Sequence, residues 1–452
     1  MRSLRIRCGL ALLLALAGGS RVLHAQPSIL GSEDDPRETT RYVWWRRENV
    51  LDVMAGPSLI GAQWRVGASI GLNVDTRSVA ARLSGSLHEG IYGLYEPDVN
   101  QLYDVLRLIE FARYNPPANS SFYFRIGPIN RLTLGTGHVV NFHNSNMAWD
   151  DRTVGAESRW DVGPLQLSAF TDDLLLRTVM GGRAAIHPLG MLRDPQVRSV
   201  SVAFSYVTDR ATWRDSVPDL TAYNVDAEMN LLTSGDIVLS PFASYAWYSH
   251  YGQGIGVGAD LWSLNFIDLA RFRFRFALYY NGDRFIPGYV GSFYMVNNTQ
   301  DRIVNSVELL EGGEAEHLVG LTLGDAVGGN DLVTELRLLL FERFEFWYYF
   351  RRHYGIQRLS EYHLRLFIRV QDRLKLDVGL DRGDLSGFLS LFSRLSDQTG
   401  LVFNMEYRLI GPLWTYVRSR YTYEQVGQDL LNGDRYVVQR RFEPMVGVRF
   451  SF

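Results

Sequence analysis

Ala270-Arg271-Phe272-Arg273-Phe274-Arg275-Phe276, or ARFRFRF, keeps a strict period of two. Successive side chains of a β-strand point to opposite faces, so the segment has one aromatic wall and one cationic wall. Something apolar has to cover the first; the second has to meet water or counter-charge. A soluble sheet packed on a core satisfies both demands, and so does a strand with lipid outside and a wet lumen inside.

The rest of the chain chooses between them. Aromatic residues make up 13% of the 452 residues and glycine occurs 42 times. Alternating segments of about ten residues recur from residue 48 onward, with little helical periodicity. About 22 such segments can be read, among them 131–141, 314–325 and 385–394. No linker rich in Gly, Ser or Pro divides the chain after residue 46, which favours one architecture. If the C-terminus is periplasmic, brief turns at 127–130, 381–384 and 410–412 share one side, and longer connectors at 142–152, 282–313 and 425–435 share the other. Such sorting belongs to membrane barrels. Only Gln371-Asp372 is too tight for its side. The expected fold is all-β: a single large antiparallel transmembrane β-barrel of about 18–22 strands over residues 47–452.

The N-terminus agrees. Arg2, Arg5 and Arg7 precede the apolar run from Gly9 to Ala17, and Ala25 offers a small residue at a cleavage point. This predicts a signal peptide over residues 1–25, too short in its apolar run to span a membrane, then a polar tail over 26–46. The one cysteine, Cys8, falls in the signal, so disulfides and thiolate metal sites are excluded and no cofactor is implied. The formal charge is -3, and residues 1–25 carry four arginines and no acid, so the remainder stands at -7. Nucleic acid is not a suggested partner.

The chain ends Val446-Gly447-Val448-Arg449-Phe450-Ser451-Phe452, alternating and closing on phenylalanine. This resembles the closing strand of Gram-negative outer-membrane β-barrel proteins of the porin-like kind. The resemblance implies that Phe450 and Phe452 belong to the signal read by the barrel-assembly machinery, and that the partners are outer-membrane lipid, that machinery and small polar solutes. Residues 122–142 (FYFRIGPINRLTLGTGHVVNF), followed by Asp151-Arg152-Thr153-Val154-Gly155, are similar to the hairpin and Asp-Arg loop of alginate-export-like barrels. Pro444 interrupts the closing alternation and predicts a bulge.

In a barrel, Phe272, Phe274 and Phe276 face lipid, because a charge there costs about 2 to 4 kcal/mol at mid-membrane. Arg271, Arg273 and Arg275 then face the lumen. By the same alternation the lumen receives Arg337, Arg365, Arg369, Arg373, Lys375, Arg408 and Arg449. Over the C-terminal strands, the inferred lumenal faces carry 13 cations against 5 carboxylates. A selective pore and a network of ion pairs both fit that pattern.

Residues 97–113 have helical spacing through Val99, Leu102, Leu106 and Ile109, and predict either a helix folded into the lumen or a cap on the rim. Gly252, Gly254, Gly256 and Gly258 leave one strand face bare, which suits a bend or close contact with an inserted segment. The expected function is an outer-membrane channel or exporter for small polar solutes, anions being favoured by a basic lumen, and not an enzyme. The alternative is a hydrolase, for which His143, His250, Asp150 and Asp151 are the rim candidates, or a structural or adhesive barrel.

Overall fold

The computed structural model describes residues 49–452 except 77, 115–121, 177, 189–199, 211–219, 235–236, 267–268, 298–322, 324–325, 342, 355–359, 372, 386–397 and 430–432. The expected signal peptide and polar tail lie outside the described residues.

Twenty antiparallel strands make one closed wall. The first ten are β1 (Val50–Ile60), β2 (Gln63–Asp75), β3 (Val79–Gly90), β4 (Ile109–Tyr114), β5 (Phe122–Gly127), β6 (Gly155–Val162), β7 (Leu165–Thr171), β8 (Val179–Ile186), β9 (Ser201–Asp209) and β10 (Leu220–Glu228). The second ten are β11 (Ile237–Tyr248), β12 (Gln253–Phe266), β13 (Ala270–Asn281), β14 (Gly329–Leu340), β15 (Phe344–Tyr354), β16 (Ser360–Val370), β17 (Leu374–Leu385), β18 (Thr399–Ile410), β19 (Leu413–Asp429) and β20 (Gly433–Ser451). Short ladders at Gly93–Leu94 and Leu232–Ser234 pair with β3 and β11 without joining the circuit. Each strand pairs with the next, and β1 meets β20 from Val50↔Ser451 to Ile60↔Arg441. Closure satisfies backbone groups that lipid could not. The first and last described residues meet on one rim, where the Phe452 N–H donates to the Asn49 carbonyl at 3.1 Å.

The alternation that opened the argument is realised side chain by side chain. On β13, Phe274, Phe276, Leu278 and Tyr280 point outward and are exposed, while Arg273, Arg275, Ala277 and Tyr279 are buried inside. Leu332, Leu336 and Leu338 of β14 continue the outer face, and so do Phe346, Tyr348 and Phe350 of β15. Aromatic clusters mark both ends of this apolar belt. Tyr223 and Trp247 stack at 5.0 Å near the rim of long connectors, and Phe122 and Trp160 stack at 6.0 Å near the other rim.

Several sequence expectations change. Residues 131–141 are not a wall strand; they lie inside the barrel, with residues of both parities buried. β17 runs unbroken through Asp381, Arg382 and Gly383, so no turn falls at 381–384, and the tight connector 371–373 shares the short-turn rim with 411–412. The segment 386–394 lies outside the described residues, as does most of 314–325. The connector expected at 425–435 is largely a projecting hairpin of β19 and β20. Residues 97–113 break into a 3-10 turn at Glu96–Asp98, one helical turn at Asp104–Arg107 and the wall strand β4. Pairing of β4 with β3 and β5 overrides its local helical spacing. Val99, Leu102 and Val105 are exposed, so no helix packs an apolar face into the lumen here; residues 128–154 fill it instead. At Pro444 the ladder to β19 keeps its register, and the expected bulge is absent. Pairing with β1 lapses there instead, and Gly56 gives the room its backbone needs against the Pro444 carbonyl.

Candidate functional site

Residues 128–154, between β5 and β6, fold into the lumen. Ile129, Leu132, Leu134, Val139 and Val140 pack with Phe285, Ile286, Val290 and Tyr294 from the connector after β13, and against Phe170, Val207, Ala246 and Tyr248 of the wall. The two insertions are also hydrogen-bonded: the Asn141 N–H donates to the Val290 carbonyl at 3.1 Å and the Gly288 N–H to the His138 carbonyl at 2.9 Å. The bare glycine face receives them. A Cβ on Gly254 would stand 2.6 Å from the Phe285 ring, and one on Gly252 would collide with the Asp283 carbonyl.

Charge inside the barrel is largely compensated where this plug touches the wall. Arg273 and Arg275 both bond Asp260, at 2.7 and 2.8 Å. Arg337 bonds Glu335 at 2.6 Å and lies over the Trp347 ring at 3.8 Å. Asp381 gathers Arg365 at 3.0 Å, His363 at 2.7 Å and Arg131 of the inserted loop at 3.1 Å. Arg449 is shared by Asp52 at 2.6 Å and Glu406 at 2.9 Å. Asp52, Asp260 and Asp381 were outside the sequence count of lumenal carboxylates, which is why that count overstated the excess. Of the other expected lining residues, Arg271 is half-buried, while Arg373 and Arg408 are exposed beside the short turns. Phe450 and Phe452 are exposed.

The space left open is one-sided. An inner cavity of about 340 Å³ lies between the inserted loop and the inner faces of β16 to β20, toward the short-turn rim. Its lining carries ten cationic side chains, Arg365, Arg369, Lys375 and Arg449 among them, against five carboxylates. An outer cavity of about 500 Å³ lies at the other rim, among Arg65, residues 92–97, Arg107 and Glu424. Residues 149–152 form a septum: Trp149 and Arg152 line the inner cavity, and Asp150 and Asp151 the outer one.

The septum is held by polar contacts that spacing in the sequence does not reveal, because they cross the barrel. Asp150 bonds Arg441 at 3.1 Å and accepts from the Tyr95 hydroxyl at 2.7 Å. Burial, with Asp150 adding to it, pushes the Tyr95 hydroxyl well above its ordinary range. Arg152 donates to the carbonyls of Trp149 and Arg107 at 2.9 and 2.8 Å, and burial draws its guanidinium down to about 10, still charged at neutral pH. The Trp149 indole lies under Arg420 at 3.3 Å and Arg152 at 4.3 Å.

The histidines do not assemble. His143 is fully buried, 3.7 Å from Asp172, whereas His250 is exposed and Asp150 belongs to the septum. His138 lies 2.9 Å from the Ser244 hydroxyl, enclosed by Tyr279 and Phe285, and burial holds it down at about 3.

No protein-family model matches the chain, and no curated protein matches its sequence. Among solved structures, it is similar to Wzi, an outer-membrane protein involved in group 1 capsule assembly in Escherichia coli and a carbohydrate-binding β-barrel, at 8% identity over 94% of this chain and 95% of that one, with a TM-score of 0.33. It is similar to OpdK from Pseudomonas aeruginosa at 8% identity, 90% and 99% coverage and a TM-score of 0.33. For OccAB3 from Acinetobacter baumannii the values are 12%, 90%, 98% and 0.32. Likeness this distant leaves the functions of those barrels with those barrels. On its own closed ladder, its apolar belt with aromatic ends and its polar interior, the chain is an outer-membrane β-barrel of twenty strands.

Proposed function

We propose that this is a transport-type barrel that passes small polar solutes, anions in preference, through the inner cavity and past the septum at residues 149–152. One observation carries the proposal: ten cations against five carboxylates line the inner cavity. A fixed excess of one sign raises the local concentration of the opposite ion, as arginine and lysine linings do in anion pores. Screening acts over ~8 to 10 Å at moderate salt, comparable to the width of such a space. Arg365, Arg369, Lys375 and Arg449 are the lining residues in this proposal. Arg273, Arg275 and Arg337 do not line that cavity; each bonds a wall carboxylate, and Arg275 also donates to the Thr136 carbonyl of the inserted loop.

Reversal potentials in planar bilayers under a salt gradient test this. The wild type is expected to prefer anions, and Arg369→Ser combined with Lys375→Ser to lower that preference. A wild type that prefers cations overturns the proposal. The hydrolase alternative has less support, since the His138 ring that meets the Ser244 hydroxyl is closed to solvent and its Nε2 has no partner among the described residues.

A further inference from the structure

Arg418 and Arg420 stand on one face of β19, about 7 Å apart along the strand, and both line the inner cavity. Across the ladder Arg418 faces Glu443 and Arg420 faces Arg441. Neither guanidinium makes an ion pair or a hydrogen bond among the described residues, and the Arg420 Nε is buried without an acceptor. The acids whose fields reach them are engaged elsewhere. Glu443 is 2.8 Å from His88 Nε2, and Glu110 is 2.6 Å from Arg82. Arg420 instead covers the Trp149 indole, and Arg152 over the same ring has only carbonyl acceptors.

Charges withdrawn from bulk water without a counter-ion are unfavourable. The same three side chains become complementary to a planar or tetrahedral oxyanion, because a guanidinium presents a fork of donors matched to it. We propose that Arg418 and Arg420, supported by Arg152, bind one phosphate- or carboxylate-bearing solute on the inner side of the septum. The site deepens the transport reading by naming where its solute rests, but its binding is measurable without transport.

The test uses the full-length barrel in detergent, with melting followed by heat-modifiable migration. Inorganic phosphate and succinate are titrated separately, with sodium chloride at matched ionic strength as reference. Phosphate or succinate is expected to raise the melting temperature saturably beyond chloride, and whichever acts at lower concentration identifies the headgroup chemistry. Arg418→Ser and Arg420→Ser are each expected to weaken that effect about tenfold or more, as loss of a charged hydrogen bond implies. Arg418→Lys and Arg420→Lys keep the charge and lose the fork, and carry the test if the serine variants do not fold; they should weaken binding less. Stabilisation no greater than that of chloride, or unchanged by all four substitutions, overturns the site. An anion-selective wild type with no phosphate or succinate effect defeats the site and spares the transport reading, whereas saturable binding with no current does the reverse.

Discussion

Arg131 Nη2 lies 3.1 Å from Asp381 Oδ2, although the two residues are 250 positions apart. The contact ties the inserted loop to β17, and the same carboxylate serves His363 and Arg365. Asp381→Asn leaves two guanidiniums and an imidazole around a neutral amide, and breaking a buried pair this way costs about 3–5 kcal/mol. The variant barrel is expected to lose its compact electrophoretic form at a clearly lower temperature than wild type, and Arg131→Ala to lie between them. Equal melting of all three would show that this contact does not hold the loop.

Gly254 admits the Phe285 ring, so Gly254→Leu forces the second insertion out of its place. Overpacking of this sort costs about 1–3 kcal/mol. Single-channel conductance is expected to rise in the variant because part of the plug is displaced. A folded variant with wild-type conductance would mean that this insertion does not limit the current.

His138 gives a pH dependence with a definite sign. Burial, aided by the nearby Arg351 charge, holds it at about 3, against 6.5 ordinarily. Between those values the unfolded chain takes up a proton that the barrel refuses, so stability present above about 6.5 is lost as pH falls toward 3. Melting temperatures from about pH 7.5 to about pH 4.5 are expected to fall more steeply for wild type than for His138→Phe. Parallel profiles would remove His138 from the account.

The arginines that open the sequence argument separate bracing from selectivity. Arg275 grips Asp260 with Nε and Nη2, both at 2.8 Å, and also donates to the Thr136 carbonyl of the inserted loop at 3.2 Å. Arg273→Ser with Arg275→Ser is expected to lower the melting temperature and to shift the reversal potential less than Arg369→Ser with Lys375→Ser. The opposite ranking would return the ladder to the conduction route.

The faces of β13 to β17 were legible because lipid tolerates no charge, which forces the period of two onto the sequence. The glycines at 252–258 were legible for a related reason, since a bare face needs a neighbour to fill it. Residues 131–141 misled because they alternate like a strand. A closer signal was present: Thr133, Gly135 and Gly137 on one parity and Thr136 and His138 on the other leave no unbroken apolar face for lipid. β4 was hidden by its short length and by the helical spacing that runs into it. The septum was not legible at all. Trp149 with Arg420, and Asp150 with Arg441, are contacts that exist only once the barrel closes and the loop turns inward.

Solutes that cross through the inner cavity must sense a charge added to its lining. The chain's one cysteine, Cys8, falls in the expected signal peptide, so single engineered cysteines can be modified selectively. Asn404 lines the inner cavity, and Phe276 faces outward. Single-channel current is recorded for Asn404→Cys and Phe276→Cys before and after a negatively charged sulfonate thiol reagent. A marked fall in current is expected for Asn404→Cys and none for Phe276→Cys. An unchanged current through an Asn404→Cys barrel shown by mass to carry the adduct would contradict it.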